Sequence, residues 1–320
     1  MKTNKTQVGT RTSFVKKLLL VDGISRSGKF LMADLLNGFN GVEAVQYYGL
    51  LEHLPFLEKF GLIDYKTAQE LLKCEIDTHA YEMAIGRNFN HRKSDKSSIY
   101  KNPKVKSFLQ RPEQDDLKKL LDEYKKADPY SFFVAHELIP NAKIYFDTFP
   151  HLKIVSLLRS PIELVDSWYR RGLTKRLGDD PTLFVIPFKK GKELYPWYAV
   201  GKEKEYATLL EMDRTIFAIE RIMVLYKRGL KKLTKKERGQ ILFIRYEDIL
   251  LKTSVELKKI SVFLGKKQLP AMSAVLKREC LPSLDYMGKR EEKMRTIAAL
   301  ASPVFVRRLQ KLEARYLANK

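Results

Sequence analysis

The chain has 320 residues, of which 44% are hydrophobic and 11% aromatic, so it can bury the core of one large domain or two small ones. Its formal net charge of +22 favours anionic partners such as nucleotides, nucleic acid, acidic glycans or membrane surfaces. Two cysteines exclude a disulfide framework, and no apolar run approaches the roughly 20 residues that span a bilayer. These features predict a cytoplasmic protein without a transmembrane segment or a secretion signal.

Short apolar runs and helical patterns alternate along the chain. A basic N-terminal arm, residues 1–16, is expected to be flexible, and residues 17–320 are expected to form a single domain. The alternation predicts an α/β fold with three αβα layers and a central, mostly parallel sheet. Five runs have the length of strands buried on both faces of such a sheet: Lys17–Val21, Val42–Gln46, Phe132–Ala135, Ile154–Leu158 and Ile241–Ile244.

Two long polar stretches fit this alternation poorly. Residues 86–128 are basic and end in a charged, helix-like run, and residues 172–207 combine Gly, Pro and Lys with aromatics such as Phe184, Phe188 and Trp197. Long loops inside a compact domain are usually functional or solvated. We expect both stretches to be insertions near the site, and the second to be the one that touches substrate.

The segment Gly23–Lys29 joins an apolar strand to a helical pattern. Such a loop directs backbone N–H groups and a helix N-terminus at one point, which suits a phosphate. Its spacing satisfies the G-x-x-x-x-G-K pattern of nucleotide-binding loops, in which the next residue is a Ser or Thr that holds Mg²⁺. Here that residue is Phe30, so the loop predicts an anionic nucleotide without the usual metal ligand.

A second junction follows the predicted strand that ends at Leu158. Ser160 has the place of a helix N-cap, Pro161 stands at the first helical position, and Glu163 completes the capping pattern. Arg159 would then lie at the carboxyl end of a parallel strand, where such sheets bind ligands. Ser167 lies two helical turns after Ser160 on the same face, so Arg159 and Ser167 are candidates to bind one phosphate.

A third junction runs from the apolar strand Ile241–Ile244 into a Tyr-Glu-Asp corner, Tyr246–Asp248. Acidic residues are common at strand ends, so this corner alone indicates little. The corner becomes informative only together with the other two junctions and their order along the chain.

Together the three segments resemble the sulfotransferases that use 3′-phosphoadenosine 5′-phosphosulfate (PAPS). The 5′-phosphosulfate loop of that family has the form Lys-Ser-Gly-Thr after a strand, and this chain has Arg26–Lys29 there. The family's 3′-phosphate segment has the spacing of Arg159, Pro161 and Ser167, and its Tyr-Glu-Asp corner resembles Tyr246–Asp248. The order and spacing of these motifs are more specific than any one of them.

The resemblance covers residues 17–46, 131–171 and 240–270 and leaves out the two long stretches. It implies a fold like that of the P-loop nucleotide kinases and a transfer of a sulfuryl group from PAPS to an acceptor hydroxyl, in line and without a metal. A sulfuryl group in transfer carries less negative charge than a phosphoryl group, which a metal neutralises in kinases. Phe30 is therefore compatible with a sulfotransferase, where it would be a defect in a Mg²⁺-dependent kinase.

The resemblance also implies roles for individual residues. Arg26 takes the place of the family's Lys, which contacts the bridging oxygen of the leaving group. Arginine supplies the same charge but does not readily donate a proton, so Lys29 is a second candidate for the catalytic cation. Many family members also place basic residues from the C-terminal region on the 3′-phosphate, and Lys289 and Arg290 are the candidates here. The resemblance thus implies that the donor is contacted by Arg26, Ser27, Gly28, Lys29, Phe30, Arg159, Ser167, Lys289 and Arg290.

The catalytic base has one leading candidate. Cytosolic members of the family carry a catalytic His about two dozen residues before the 3′-phosphate Arg, and His136 precedes Arg159 by 23 residues. Histidine side chains exchange protons near neutral pH, which suits a general base. Glycan-type members use a Glu that follows the loop; among Glu43, Glu52 and Glu137, Glu43 is the alternative that we favour from the sequence.

Two other classes of protein remain open at this point. A P-loop kinase or NTPase is favoured by the Gly23–Lys29 spacing but opposed by Phe30, and a non-enzymatic basic protein that binds nucleotides or nucleic acid is favoured by charge alone. No specific nucleic-acid motif is present. For an enzyme, the expected partners are PAPS, its product PAP and a small-molecule or glycan acceptor. Glycans or other sugar-bearing acceptors are suggested by the aromatics and lysines of 184–207. The oligomeric state is left open, a homodimer included.

Overall fold

The computed structural model describes residues 6–283 and 289–318. Its strands are β1 Lys17–Gly23, β2 Gln46–Tyr47, β3 Tyr130–Val134, β4 Leu152–Leu158, β5 Phe188–Lys190, β6 Glu193–Tyr195 and β7 Ile241–Arg245. The central sheet has the order β2-β3-β1-β4-β7 and all of its strand pairs are parallel. Strands β5 and β6 pair antiparallel in a separate hairpin. The predicted α/β fold with a parallel central sheet is therefore confirmed.

Four of the five predicted strands begin and end within about two residues of the observed ones. The exception is Val42–Gln46, of which only Gln46 lies in β2, while Val42 makes an isolated parallel bridge to Tyr130. Strand β2 is at the edge of the sheet and pairs with β3 alone. The stretch that is hydrogen-bonded as a strand is therefore short, and the predicted bounds of this strand were wrong.

Helices cover both faces of the sheet. None of those in the described ranges is long and apolar enough to cross a membrane. Their bounds are α1 Lys29–Asn37, α2 Leu50–Lys59, α3 Tyr65–Ala84, α4 Val105–Leu109, α5 Leu117–Ala127, α6 Ala142–Thr148, α7 Pro161–Arg170, α8 Glu203–Thr208, α9 Glu211–Lys231, α10 Lys235–Gly239, α11 Tyr246–Leu251, α12 Thr253–Leu264, α13 Met272–Arg278, α14 Arg290–Leu300 and α15 Pro303–Ala318.

The alternation of side chains along each strand separates two hydrophobic clusters. In β1, Leu18 and Leu20 join one cluster with α2, α3, α6, α7, α9 and α15, whereas Leu19 and Val21 join the other with α1, α11, α12 and α13. All four side chains are 1% exposed or less. Successive residues of a strand point to opposite faces, so a strand that is apolar throughout must be covered on both sides. This arrangement is the three-layer architecture that the sequence predicts.

The two long polar stretches are partly helical. Residues 86–128 contain α4 and α5, and α5 begins after Asp116, whose side chain accepts the Lys119 N–H at 2.9 Å. Residues 172–207 contain the β5–β6 hairpin and most of α8. Helix α5 lies within the charged run that the sequence predicts to be helix-like.

Part of the N-terminal arm is held by one carboxylate. Asp77 on α3 is buried and accepts hydrogen bonds from Arg11 Nη1 at 2.6 Å, Ser13 Oγ at 2.7 Å and the N–H groups of Phe14 and Val15 at 2.8 and 2.9 Å. An ionised carboxylate has several acceptor positions, so it can satisfy four donors at once. Residues 11–15 therefore contact the domain, although the sequence alone predicts that the arm is flexible.

Candidate active site

Four segments that follow neighbouring strands meet at one edge of the sheet. The loop 24–28 follows β1, His136 and Glu137 follow β3, Arg159 follows β4, and Tyr246 follows β7. Strand β1 lies between β3 and β4, and the chain runs from β1 to β2 and β3 on one side before it crosses to β4 and, later, β7 on the other. Ligands of open α/β sheets bind beyond the carboxyl ends of the strands at such a point. The topology therefore brings together the three junctions that the sequence analysis singles out.

The loop ends at Gly28, which begins α1 in a left-handed conformation with φ of 100°. No side chain caps this helix, so its first N–H groups are available to a ligand. A Cβ at position 28 would overlap the ring of Tyr246, which packs against the glycine. Glycine is thus required both by the backbone conformation and by the close approach of the ring.

Lys29 lies beneath the loop. Its side chain is 3% exposed, and Nζ donates to the carbonyl oxygens of Gly23 at 2.8 Å and Ile24 at 3.1 Å. Burial lowers the pKa of this ammonium, while the nearby carboxylates of Glu137 and Asp22 act in the opposite direction. The charge of Lys29 therefore holds the loop in its curved shape from below.

Arg26 lies on the outer side of the same loop and is exposed. Its Nε donates to Ser167 Oγ at 3.2 Å, and its carbonyl oxygen accepts from Arg159 Nη1 at 2.6 Å. Arg159 also pairs with Glu163 at 3.1 Å and stacks over the Tyr246 ring at 4.6 Å. Arg26, Arg159 and Ser167, which the sequence predicts to bind one anionic donor, are thus linked by direct hydrogen bonds through Arg26.

The positive charges of Arg26, Arg159 and Arg171 lie close enough to repel one another. The pKa of Arg26 is lowered, first by burial and then by the positive charges of Arg171 and Arg159. Mutual repulsion of this kind disfavours the charged side chains when no anion is present. An anion bound among them would relieve it, which indicates an anion site at this point.

His136 is held by a carboxylate. Glu52 Oε1 accepts the backbone N–H of His136 at 2.7 Å and lies 2.6 Å from its Nδ1. Within the described ranges no hydrogen bond is made to the other ring nitrogen, Nε2. The ring of Tyr47 lies edge-on to the imidazole at 5.6 Å. A carboxylate on Nδ1 fixes the ring and leaves Nε2 able to accept a proton.

Glu137 and Asp22 connect the strand ends to the loop. Glu137 accepts the Ser25 N–H at 2.5 Å, and burial raises its pKa. Asp22, fully buried, accepts from the Leu138 N–H at 2.7 Å, Ser156 Oγ at 2.8 Å and the Tyr226 hydroxyl at 3.1 Å. Burial raises the pKa of Asp22 as well, and these donors oppose that shift.

The Tyr-Glu-Asp corner braces the second junction. Glu247 accepts the Ser160 N–H at 3.2 Å and the hydroxyl of Tyr316. Arg290, at the start of α14, lies 3.8 Å from Glu247 and 3.2 Å from Glu313. The Ser160 hydroxyl, at 3.5 Å from the Glu163 N–H, is the helix cap that the sequence predicts.

A cavity of about 290 Å³ opens beside Arg26, and we call it the Arg26 cavity. It contains His136 as well as Arg26, and residues 172–207 supply much of its wall. No residue of 86–128 lines it. Its lining is Ser25, Arg26, Tyr47, Glu52, His136, Glu137, Trp168, Arg171, Leu173, Arg176, Leu177, Thr182, Leu183, Phe184, Val185, Pro196, Trp197, Tyr198, Tyr206 and Ile222.

Not every predicted site residue lies there. Glu43 is buried in a two-pronged ion pair with Arg111, at 2.6 and 3.0 Å, and does not line the Arg26 cavity. Lys289 is exposed at the start of α14, and residues 284–288 before it lie outside the described ranges. Arg159 also lines a second cavity of about 320 Å³ between α9 and α15, which contains neither Arg26 nor His136.

An anionic donor fits the loop on its own geometry. The Ser27 hydroxyl is buried without a hydrogen-bond partner among the described residues, and α1 begins without a side-chain cap. Arg26 and Arg159 stand on the outer side of the same loop. Unpaired donors at a helix N-terminus together with arginine side chains are the chemistry that binds phosphate and sulfate groups.

Sequence reasoning missed three contributors. The sequence places Glu52 only among several possible bases, gives no signal for Arg171, and does not predict that Tyr246 packs against Gly28. Spacing gave no signal for them, because Glu52 precedes His136 by 84 residues. Their roles depend on which helices the fold brings to the ends of the strands.

The family model described as "Sulfotransferase domain" matches residues 18–280. No curated protein matches the chain significantly by sequence. Among solved structures, a sulfotransferase from Mycobacterium avium is 12% identical, with 96% of this chain and 77% of that chain covered at a TM-score of 0.46. The sulfotransferase domain from the curacin biosynthetic pathway is 13% identical, with 86% of this chain and 80% of that chain covered at a TM-score of 0.45.

Retinol dehydratase, in a complex with retinol and PAP, is 16% identical, with 90% of this chain and 72% of that chain covered at a TM-score of 0.26. These identities and TM-scores are low, so family membership rests on the family model, which matches well over half of the chain. The chain belongs to the sulfotransferase domain family and is a PAPS-dependent sulfotransferase.

Proposed function

We propose that the Arg26 cavity is where a sulfuryl group passes in line from PAPS to an acceptor hydroxyl, without a metal ion. One observation carries this proposal: a single cavity contains an arginine of the phosphate-type loop and a histidine held by a carboxylate. The first supplies positive charge for a leaving group, and the second can take the proton of an acceptor. The absence of a hydroxyl at Phe30 supports a reaction in which the loop holds no metal.

The donor, when bound, supplies an activated sulfuryl group on a phosphate leaving group. We assign the 5′-phosphosulfate to the loop 24–28 and the first N–H groups of α1. Arg159 and Ser167 are assigned to the 3′-phosphate, with Arg290 as a neighbour of that segment. Lys29 is assigned a supporting role, because its Nζ is committed to two loop carbonyls. The catalytic cation is then Arg26.

His136 is assigned as the general base. Its Nδ1 is engaged by Glu52, so Nε2 receives the acceptor proton while the carboxylate stabilises the imidazolium that forms. The alternative base, Glu43, is set aside because its carboxylate is committed to Arg111 outside the cavity. Glu52 acts through His136 and is a positioning residue.

For the acceptor we propose a hydroxyl compound with at least one flat ring face, of which sugars and sugar-bearing molecules are examples. Support comes from the aromatic side chains of 172–207 that line the Arg26 cavity, Phe184, Trp197, Tyr198 and Tyr206. Rings pack against sugar faces and against other rings alike. The lysines of the β5–β6 hairpin are exposed and do not line the cavity, so they lend no support.

A thermal-shift measurement tests the donor assignment. PAP is expected to raise the melting temperature by several degrees at 100 times its Kd, since a ligand at that excess stabilises by about 2.7 kcal/mol. ATP with Mg²⁺ should give a much smaller shift. Stabilisation by ATP with Mg²⁺ and none by PAP would contradict the assignment and favour a kinase.

A further inference from the structure

Arg171 lines the Arg26 cavity next to the end of α7. Arg171 is exposed, and within the described ranges its guanidinium makes no hydrogen bond or ion pair. Its neighbours differ: Arg170 pairs with Asp166, and Arg176 donates to Asp180 at 2.6 Å and to Thr182 at 2.9 Å. Of these three arginines, Arg171 is therefore the one with charge to offer a ligand.

Arg171 and Arg159 lie at opposite ends of α7. Arg171 caps the C-terminus of α7, one helical turn beyond Ser167, whereas Arg159 lies just before the N-terminus of the same helix. From that end of α7 the chain runs directly into 172–207, the wall of the cavity. Arg171 therefore lies where α7 passes into the cavity wall formed by 172–207.

Among the described residues that line the cavity, both acids are already engaged. Glu52 is held by His136 and Glu137 accepts the Ser25 N–H, while Asp180, outside the lining, is paired with Arg176. The positive charge of Arg171 also repels that of Arg26 and helps to lower the pKa of Arg26. A neutral acceptor would leave this repulsion in place, whereas an anionic one would offset it.

Size and shape limit the ligand further. A volume of about 290 Å³ is at the low end of the roughly 300–1,000 Å³ typical of small-molecule pockets. Trp168, Trp197 and Tyr198 form a largely buried aromatic wall, and Phe184 is exposed at the opening. A small ring compound fits such a space.

We infer that the acceptor is a small ring-containing hydroxyl compound that also carries an anionic group, such as a carboxylate, bound by Arg171. This inference rests on the proposed function and specifies the substrate class of the same cavity. Arginine matches a carboxylate with two parallel N–H···O bonds, so the contact would also fix the orientation of the hydroxyl toward His136.

The test uses a small-molecule extract divided on an anion exchanger into a retained, anionic fraction and an unretained fraction. Each fraction is incubated with ³⁵S-labelled PAPS and the full-length protein, and label transferred to acceptors is measured. We expect most of the label to enter compounds of the retained fraction. Arg171→Gln should lower that transfer about tenfold or more, because it removes a charge-assisted contact.

Arg170→Gln is the matched control, since it removes the same charge from the same helix outside the cavity, and it should change transfer less than about twofold. PAP affinity, measured by calorimetry, should stay within about threefold in both variants, because the donor's 3′-phosphate is assigned to Arg159 and Ser167 and to neither Arg170 nor Arg171. Because Arg170 and Arg171 are both exposed, both variants should remain folded.

Labelling mainly in the unretained fraction, or undiminished transfer by Arg171→Gln, would overturn the inference. So would a tenfold loss of PAP affinity in Arg171→Gln, which would make Arg171 a donor ligand. Absence of label in both fractions from wild-type protein that binds PAP would instead contradict the proposed function, and the inference would fall with it.

Discussion

Replacing Arg26 with alanine is expected to lower kcat by about 10²–10³-fold, the usual effect of removing one group that stabilises transition-state charge. PAP affinity should change less than about tenfold, because the N–H groups of the loop and of α1 remain. The larger effect on kcat is expected because Arg26 reaches the cavity from the outer side of the loop, where we place the developing charge of the leaving group. Initial rates and calorimetry with PAP measure the two effects separately.

Two further variants make this experiment decisive. Arg26→Lys restores a cation and should recover most of the lost rate, while Arg170→Ala removes an exposed arginine outside the cavity and should have little effect. If Arg26→Ala kept its turnover, the catalytic cation would lie elsewhere, and Lys29 would be the first candidate.

Replacing His136 with glutamine is expected to lower kcat/KM by about 10²–10⁴-fold, the range for loss of a general base. Glutamine keeps much of the size of the side chain but cannot accept the acceptor's proton. His151→Gln, at an exposed histidine, is the control and should leave the rate unchanged.

Glu52→Gln separates positioning from catalysis. Removing the carboxylate takes away the group that orients the imidazole and stabilises its protonated form, so the rate should fall, but less than in His136→Gln. If His136→Gln retained the wild-type rate while Glu52→Gln lost it, the carboxylate itself would be the base.

Much of the fold was predictable from the sequence. Strands such as β1 and β4 are apolar throughout because both faces are covered, and this pattern can be read without any long-range information. The bounds of β2 were not predictable, because they depend on how an edge strand pairs with β3. Nor were the contacts of residues 11–15 with Asp77, which connect segments more than 60 residues apart.

The candidate site was predictable where its signals are local. Arg26, Arg159 and Ser167 follow from motif spacing, and the structure brings them into contact. Lys29 shows the limit of the same reasoning, because the motif marks it as a phosphate ligand while the structure places its ammonium under the loop. Arg171 belongs to no motif, and the role that we infer for it depends on the lack of a side-chain partner among the residues that the structure describes.

Transfer of ³⁵S from labelled PAPS to an acceptor in the presence of EDTA is the most direct test of the central claim. We predict that wild-type protein labels compounds in a small-molecule extract at a rate that EDTA does not change, and that Arg26→Ala labels them at least about 100-fold more slowly. A protein that transferred no label from PAPS, or that required added Mg²⁺ to do so, would contradict a metal-free sulfotransferase built on this loop.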